Sequence, residues 1–434
     1  MSLSTTAQQL RAANAAAARS ATNAVAGWLF VCCGLIFLMV VVGGITRLTL
    51  SGLSITEWNP VIGVIPPLTH AEWMAEFARY QQVPEYRTLH YGMSLADFKS
   101  IYFWEYAHRL LGRLIGLVFA VPLVWFWVRG RLPRRLAPAL LGILALGFAQ
   151  GLLGWYMVES GLVHRVEVSQ YRLVAHLLLA LAIYSAILWT ALGLAYPSRP
   201  FRGAEEGHGP KGCEGEVGEA TFGFIRPPHP ALSRRQKGEE GSAGDGRGRS
   251  DVRYAASWVS ISPSWRRVAE AVILLVALTI AAGGFVAGTR AGFIYNTFPL
   301  MGGNLAPTEY ARLHPFVRNW FENAAAIQFN HRALAMTTTA AVLLLWAAGL
   351  RRRLPSPARA ALWGLLAAAA LQVALGISTL LLVVPIPLAA AHQAGALLLL
   401  TAAIVFRHTV RRGDSEIVRY SLSGSNSVGA RYTP

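Results

Sequence analysis

The chain has 434 residues, of which 54% are hydrophobic and only 14% are charged, and its mean hydropathy is +0.41. Soluble domains carry about 25% charged residues, so this composition excludes an ordinary soluble protein, and the apolar content excludes a chain that is disordered throughout. The formal net charge of +17 does not require a nucleic-acid partner, because the basic residues lie in short segments between apolar stretches. We therefore expect an integral membrane protein surrounded by lipid.

Eight apolar stretches are long enough to cross a bilayer, which takes about 20 residues in a helix. The sequence predicts an all-α membrane protein whose eight transmembrane helices form two pseudo-symmetric four-helix bundles. In chain order the stretches cover residues 25–45, 103–128, 136–158, 172–195, 268–288, 324–350, 359–384 and 388–407.

The placement of charge predicts the orientation in the membrane. Loops 129–135 and 351–359 each carry four arginines and no acid, whereas segment 48–100 carries three basic residues against five acids. Short cytoplasmic segments carry an excess of Lys and Arg. We expect a multi-pass protein of the bacterial inner (plasma) membrane with both termini cytoplasmic. The mitochondrial inner membrane is the alternative, because the first 24 residues are basic and rich in Ala and Ser.

Composition also predicts the domain boundaries. The segment after the fourth stretch is rich in Gly, Pro and charged residues and predicts a disordered cytoplasmic linker. In the long outer loop, AEWMAEFARY and SLADFKSIYFW predict amphipathic helices that lie on the outer surface, where they either cover the site or act as a structural cap. The expected domains are a cytoplasmic N-terminal tail (1–24), an N-terminal bundle (25–196) with its outer loop (48–100), the linker (197–256), a C-terminal bundle (257–412) and a cytoplasmic C-terminal tail (413–434).

The two halves carry matching residues in the same order, which indicates an internal repeat. Each half has an even number of predicted helices, so the repeat is parallel in the membrane. The matched features are Gly43-Gly44 and Gly283-Gly284, His108-Arg109 and His331-Arg332, Gln150-x3-Gly154 and Gln372-x3-Gly376, and His176 and His392.

Four membrane histidines carry the chemistry: His108, His176, His331 and His392. Each lies early in a helix that is predicted to begin at the outer side, so all four should share one depth. Ionisable groups inside a membrane usually face the bundle interior, and two imidazoles on alternate helices can provide both axial ligands of a haem iron. A zinc site is the weaker alternative because it needs three or four close ligands. A proton relay remains open, although it does not explain the duplication.

Arginines adjoin these histidines. Arg109 and Arg332 follow two of them directly, and Arg47 and Arg290 lie where the first helix of each half ends. A guanidinium at membrane depth is costly without an anionic partner, and haem propionates would provide one through charge-assisted hydrogen bonds. The alternative is that these side chains extend to the interface or pair with acids of the protein.

One position distinguishes the halves. Glu105 precedes His108 by three residues, and Gln328 precedes His331 by three, so each lies on the same helical face as its histidine. A carboxyl group can move protons or stabilise positive charge on a reacting carbon, whereas an amide cannot ionise. This contrast predicts a reactive first half and a structural or electron-transfer second half. The alternative is that Glu105 merely pairs with an arginine such as Arg109.

At these residues the chain closely resembles the haem A synthase family, membrane enzymes that make haem A from haem O for cytochrome oxidase. Some members carry a cysteine pair in the first outer loop, and this chain has none there. The motifs that carry the resemblance are GGITRLTLSGLSITEWNPVIGVIPP at 43–67, EYAHRLLGR at 105–113, GLLGWYMVESGL at 151–162, NTFPLMGG at 296–303, FNHR at 329–332 and AAAHQAGA at 389–396.

The resemblance implies an oxidoreductase that converts the C8 methyl group of haem O to a formyl group in two successive hydroxylations. It implies a resident haem b as cofactor, and handover from haem O synthase and to cytochrome oxidase assembly factors as partner contacts. A di-haem electron carrier that reacts with quinone and a non-catalytic haem transporter remain alternatives. The implied roles are Glu105 as catalytic carboxylate, His108, His176, Arg109 and Arg47 at the substrate haem, and His331, His392 and Arg332 at haem b, with the four histidines as axial iron ligands.

Overall fold

The computed structural model describes residues 3–57, 62–164, 168–197, 263–352 and 354–411. Within these ranges the chain forms helices and turns without a β-strand, and eight helices are long and apolar enough to cross a membrane. The predicted all-α, eight-span fold is therefore confirmed, and the protein is a multi-pass membrane protein. The predicted linker beyond residue 197 and the C-terminal tail (413–434) lie outside the described residues.

The long helices follow the predicted order, with three short helices in the two long loops between spans. The long helices are α1 (Leu3–Leu48), α4 (Leu95–Val128), α5 (Ala137–His164), α6 (Gln170–Ala195), α7 (Pro263–Gly288), α9 (Ala324–Leu350), α10 (Ser356–Leu381) and α11 (Ile386–Thr409). The short helices are α2 (His70–Tyr80), α3 (Pro84–Leu89) and α8 (Asn319–Glu322).

Helix α1 is longer than the first apolar stretch. It begins at Leu3 and continues without interruption to Leu48, because the Ala-rich segment before the apolar stretch has high helix propensity. Its membrane-spanning part covers Arg19–Leu48. The position of residues 3–18 relative to the bilayer stays a prediction.

Two predicted elements differ from the structure. The segment SLADFKSIYFW is not a separate amphipathic helix; it forms the N-terminal part of α4, which begins after a capping box of Ser94 and Asp97. Helix α10 ends at Leu381 rather than at residue 384, because Val383 and Val384 have φ values of +61° and +58° and therefore leave the helical conformation. The other predicted outer helix, AEWMAEFARY, is helical and lies within α2.

One apolar core runs through both halves of the chain. The first-half helices α1 and α6 pack against the second-half helices α7 and α11, and all described helices belong to one compact unit. Fully buried side chains from both halves therefore share a core, whereas many other large apolar side chains of the spans are exposed, as expected for surfaces that face lipid. Core members from five helices are Leu29, Leu123, Ile187, Leu365 and Leu397.

A second, aromatic cluster organises the long outer loop. Phe77 and Tyr80 of α2, Tyr86 of α3, and Phe98 and Tyr102 of α4 are all buried against one another. The cluster explains why α4 extends beyond its apolar stretch: its first turns pack against the loop helices. The loop is thus anchored to the helix that carries His108.

Candidate functional site

The structure brings the four predicted histidines to the same end of the helices. Three lie in the second turn of their helices, His176 in α6, His331 in α9 and His392 in α11, whereas His108 is the fourteenth residue of α4, whose N-terminal part extends beyond the apolar stretch. Helices α1, α5, α7 and α10 reach this end with their C-terminal parts, because the chain reverses direction in the connection that follows each of them. The common level predicted from the sequence follows from this arrangement.

Each imidazole packs against a glycine of a neighbouring helix. A methyl group on any of these glycines would press on the ring, because contacts below about 3.4 Å are tighter than nearly all real Cβ contacts. The shortest distances from an ideal Cβ are 3.2 Å from Gly43 to His108 Nε2, 3.0 Å from Gly154 to His176 Cε1, 3.1 Å from Gly283 to His331 Cε1 and 2.8 Å from Gly376 to His392 Cε1. The matched glycines of the sequence repeat therefore make the space that the histidines occupy.

The two histidines of the second half are close enough together to bind one ion between them. The ring centroids of His331 and His392 are 6.4 Å apart and the rings are nearly perpendicular, at 85°. A metal–imidazole bond is about 2 Å long, so this separation leaves room for one ion between the rings. His331 Nδ1 lies 3.1 Å from the carbonyl oxygen of Thr279. Because a carbonyl only accepts, Nδ1–H donates and Nε2 keeps its lone pair, the form in which imidazole binds metals.

Among the four site histidines, His176 has a buried Nδ1 without a hydrogen-bond partner within the protein. Buried polar atoms are nearly always hydrogen-bonded, so this nitrogen is compatible with a bound group that the chain itself does not supply. In the part of the chain that the structure describes, no three His, Cys, Asp or Glu residues converge as a metal site. Paired imidazoles without further protein ligands fit a haem iron better than zinc.

Glu105 is buried, with 2% of its surface exposed, and both of its oxygens are engaged. Oε2 accepts hydrogen bonds of 2.8 Å from Ser54 Oγ and from the Ile55 amide. Oε1 accepts from Arg109 Nε at 3.1 Å and Nη2 at 2.7 Å. The pairing with Arg109, which the sequence left as an alternative, is thus present. The same Arg109 also donates to the carbonyls of Ile55 and Glu57, so the two side chains together hold the turn after α1.

The second half repeats the contacts between the arginine and two turn carbonyls, with a neutral amide in place of the carboxylate. Gln328 is buried, and its Nε2 donates to the carbonyl of Tyr295 at 3.1 Å. Arg332 donates to the same carbonyl at 2.6 Å and to that of Thr297 at 2.8 Å. Both arginines therefore bind carbonyls two residues apart in the turn that follows the first helix of their half. The two halves thus share the arginine contacts and differ in the side chain one turn before the histidine, a carboxylate at Glu105 and an amide at Gln328.

The arginines expected at haem propionates contact the backbone. Arg109 and Arg332 anchor the turns described above, and Arg47 Nη2 donates to the carbonyl of Gly288, in the other half, at 3.2 Å. Their contact with propionates stays a prediction.

Sequence reasoning missed several groups that shape the site. Ser54 and the Ile55 amide hold the carboxylate of Glu105, and the carbonyl of Thr279 orients His331. Backbone partners leave no trace in a single sequence. The glycines under the imidazoles did leave one, since Gly154 and Gly376 occupy matched positions in the repeat.

Known proteins resemble the chain over nearly its whole length. A sequence model of the family described as "Cytochrome oxidase assembly protein" matches residues 26–214 and 247–404. The haem A synthase of Rhodospirillum centenum is 46% identical over 396 residues, 90% of each chain. The chain belongs to the haem A synthase family. Two further relatives are the haem A synthase of Nitrosospira multiformis, 45% identical over 89% of this chain and 94% of its own, and human haem A synthase COX15, 40% identical over 91% and 84%.

Membership in the haem A synthase family agrees with the geometry. The family match covers both sets of spans and all four histidines. The shared family is one of cytochrome oxidase assembly, and the two histidine pairs lie on the helices that the match includes.

Proposed function

We propose that the protein is a haem A synthase, an oxidoreductase that converts the C8 methyl group of haem O to a formyl group. The observation that carries the proposal is a pair of matched sites, each with two histidines packed on glycines. Only one of them has a buried carboxylate one helical turn from its first histidine. Relatives named haem A synthase support the substrate assignment.

The first half takes the substrate. His108 and His176 bind the iron of haem O from opposite sides, and the glycines behind the rings leave the space for both imidazoles. Arg47 and Arg109 lie at the same end and contribute positive charge toward the propionates. Arg109 keeps the turn after α1 closed over the site while it does so.

The second half would hold a resident haem b. His331 and His392 would bind its iron, and Arg332 lies beside the first of them. The carbonyl of Thr279 fixes the ring orientation of His331 and leaves Nε2 as the nitrogen that would bind the iron. When bound, haem b supplies a one-electron redox centre whose potential depends on its axial ligands and surroundings.

Glu105 is the catalytic carboxylate. Charge-assisted hydrogen bonds from Ser54, Ile55 and Arg109 hold it one turn from His108. There it stabilises positive charge at the carbon under oxidation and takes up released protons. Each hydroxylation oxidises the carbon by two electrons, which an external oxidant, dioxygen or another electron acceptor, takes up. The first gives a hydroxymethyl group, and the second gives a gem-diol that loses water to leave the formyl. The porphyrin of the substrate activates the carbon, and the protein contributes orientation and electrostatics.

The cellular setting follows from charge and solubility. Arginine-rich loops favour cytoplasmic termini and a histidine end at the outer side of a bacterial inner membrane, with the mitochondrial inner membrane as the alternative. Haem O is poorly soluble in water. Direct handover from haem O synthase and onward to cytochrome oxidase assembly factors therefore suits this enzyme.

The decisive experiment co-expresses the chain with a source of haem O and measures extracted haems by chromatography. Wild type should yield haem A. Glu105→Gln should retain bound haem, but its haem A yield should fall about a hundredfold or more, the usual range for loss of an acid–base group. Glu72→Gln is the matched control, because Glu72 is an exposed helix cap of α2 and glutamine serves equally in that motif.

Each contrary result has a definite meaning. Normal haem A yield from Glu105→Gln would refute the catalytic role of the carboxylate. Wild-type protein that retains haem but produces no haem A would refute the synthase and favour the di-haem carrier or the transporter.

A further inference from the structure

The double glycine of α1 faces two different sites. Gly43 packs under His108 of the first half. Gly44 is buried and faces Gln393 of α11, which follows His392 in the second half. An ideal Cβ at Gly44 would lie 2.6 Å from Gln393 Cδ and 3.0 Å from its Nε2. Two adjacent glycines thus place the backbone of one helix against both histidine pairs.

A hydrogen bond closes this contact. Gln393 Nε2 donates to the carbonyl oxygen of Val40 at 2.7 Å. In an α-helix that carbonyl already accepts from the amide four residues later, which here is Gly44. The side chain of Gln393 therefore uses the second lone pair of the Val40 carbonyl and lies across the α1 backbone.

The equivalent glycines of α7 make the reciprocal contact. Gly283 packs under His331 of its own half. An ideal Cβ at Gly284 would lie 3.0 Å from Val174 Cγ2 and 3.3 Å from Leu177 Cδ2, residues that flank His176 in the first half. In each half, one glycine touches the first histidine and the next touches the helix that carries the second histidine of the other half.

We propose that Gln393 is a positioning residue that couples the two histidine pairs. Its hydrogen bond fixes the rotation of α11 against α1 at the level of His392, and so sets the separation between His392 and His331. The same contact holds the α1 backbone in place beneath His108. The inference rests on the proposed function, because it assigns haems to both pairs.

The chain offers a matched control on the same helix. Thr401 of α11 and Tyr184 of α6 also form a hydrogen bond between the halves, with 2.8 Å between the oxygens. Thr401 lies about 12 Å further along α11 than Gln393, at 1.5 Å per residue. Thr401→Val removes one side-chain hydrogen bond between the halves without touching the histidine end.

The first test compares wild type, Gln393→Leu and Thr401→Val as full-length protein purified with its haems in detergent. The readouts are the midpoint potentials and the electron paramagnetic resonance signals of the bound haems. Gln393→Leu should shift the potential and signal of the second-half haem, with a smaller change at the first-half site. Thr401→Val should match wild type. Equal behaviour of the two variants would overturn the proposal.

A second variant approaches the same contact from α1. Gly44→Ala should displace the amide of Gln393 from Val40 and produce the same spectroscopic shift, whereas Gly34→Ala, at a position with open space, should not. Because both substitutions remove one contact, the double variant Gly44→Ala/Gln393→Leu should shift the potential no further than the larger single effect. Additive shifts would overturn the coupling.

These measurements separate the inference from the proposed function. Haem-loaded wild type that makes no haem A would refute the synthase, while the potentials and signals would still test Gln393. Wild type that never contains haem would refute both.

Discussion

Glu105 and Arg109 form a buried ion pair within α4, with Arg109 Nη2 2.7 Å from Glu105 Oε1 and side chains that are only 11% and 3% exposed for the arginine and the glutamate. At the same spacing in α9, a neutral Gln328 precedes Arg332, and both side chains donate to the carbonyl of Tyr295. Both arginines hold a turn by its carbonyls. The two halves therefore share the hydrogen bonds from an arginine to two turn carbonyls, but only the first half has a charged carboxylate beside the arginine.

This difference in charge predicts that replacing the arginine by alanine lowers the free energy of unfolding more in the first half than in the second. Arg109→Ala should lower the free energy of unfolding by about 3–5 kcal/mol, because it leaves a buried carboxylate without its cation. Arg332→Ala removes equivalent carbonyl contacts beside a neutral amide and should cost about 1–3 kcal/mol. Thermal unfolding in detergent compares the two variants, and equal losses of stability would contradict the argument.

The glycines under the imidazoles predict a positional effect of single methyl groups. Gly154→Ala and Gly376→Ala should each reduce haem content, because the added Cβ would lie 3.0 Å from His176 and 2.8 Å from His392. Gly147→Ala and Gly364→Ala lie on the same two helices with open space around them and should retain haem. Haem per protein is measured by absorbance of the extracted pigment. Full haem content in the first two variants would count against the site.

Ligation of haem b predicts that only one of the two histidines in α11 matters for haem b content. His392→Ala should lose haem b. His408 is 5% exposed and packs on Trp189 at the other end of the helix, with ring centroids 5.4 Å apart. His408→Ala should therefore keep haem b. Haem extraction and the reduced-minus-oxidised spectrum report both results, and unchanged haem b in His392→Ala would remove that residue from the ligand set.

Part of the predicted linker should be dispensable for activity. Residues 215–246 lie between the two segments that match the family, so the shared activity should not need them. A chain that lacks these residues should produce haem A at about the wild-type level, normalised to the amount of protein in the membrane. Loss of haem A at normal membrane levels would assign the insertion a role in catalysis or handover.

The sequence predicts the spans well because a bilayer sets their length and apolarity. It fails where tertiary contacts take over. Asp97 and Lys99 are charged and precede the apolar stretch. Helix α4 nevertheless includes them, because Phe98 and its neighbours pack on the outer-loop helices. Val383 and Val384 are apolar and still leave the helix, since their backbone turns to positive φ just before Pro385.

The candidate site divides in the same way. Repetition in the sequence identifies the histidines, the arginines and the contrast between Glu105 and Gln328. The hydrogen bond from Gln393 to Val40 joins residues 353 positions apart, and no local pattern reveals it. Contacts of this kind depend on the rotation of neighbouring helices, which a single sequence does not specify.

The glycines beneath the imidazoles have a consequence for engineering. At each of the four positions the imidazole fits because the facing glycine has no side chain. Each site therefore depends on a glycine of a helix that carries no histidine ligand. Transfer of the histidines alone into another helical bundle would place them against occupied surfaces. A designed copy must include each histidine together with the glycine that faces it. A search for relatives becomes more specific when it requires these glycines as strictly as the histidines.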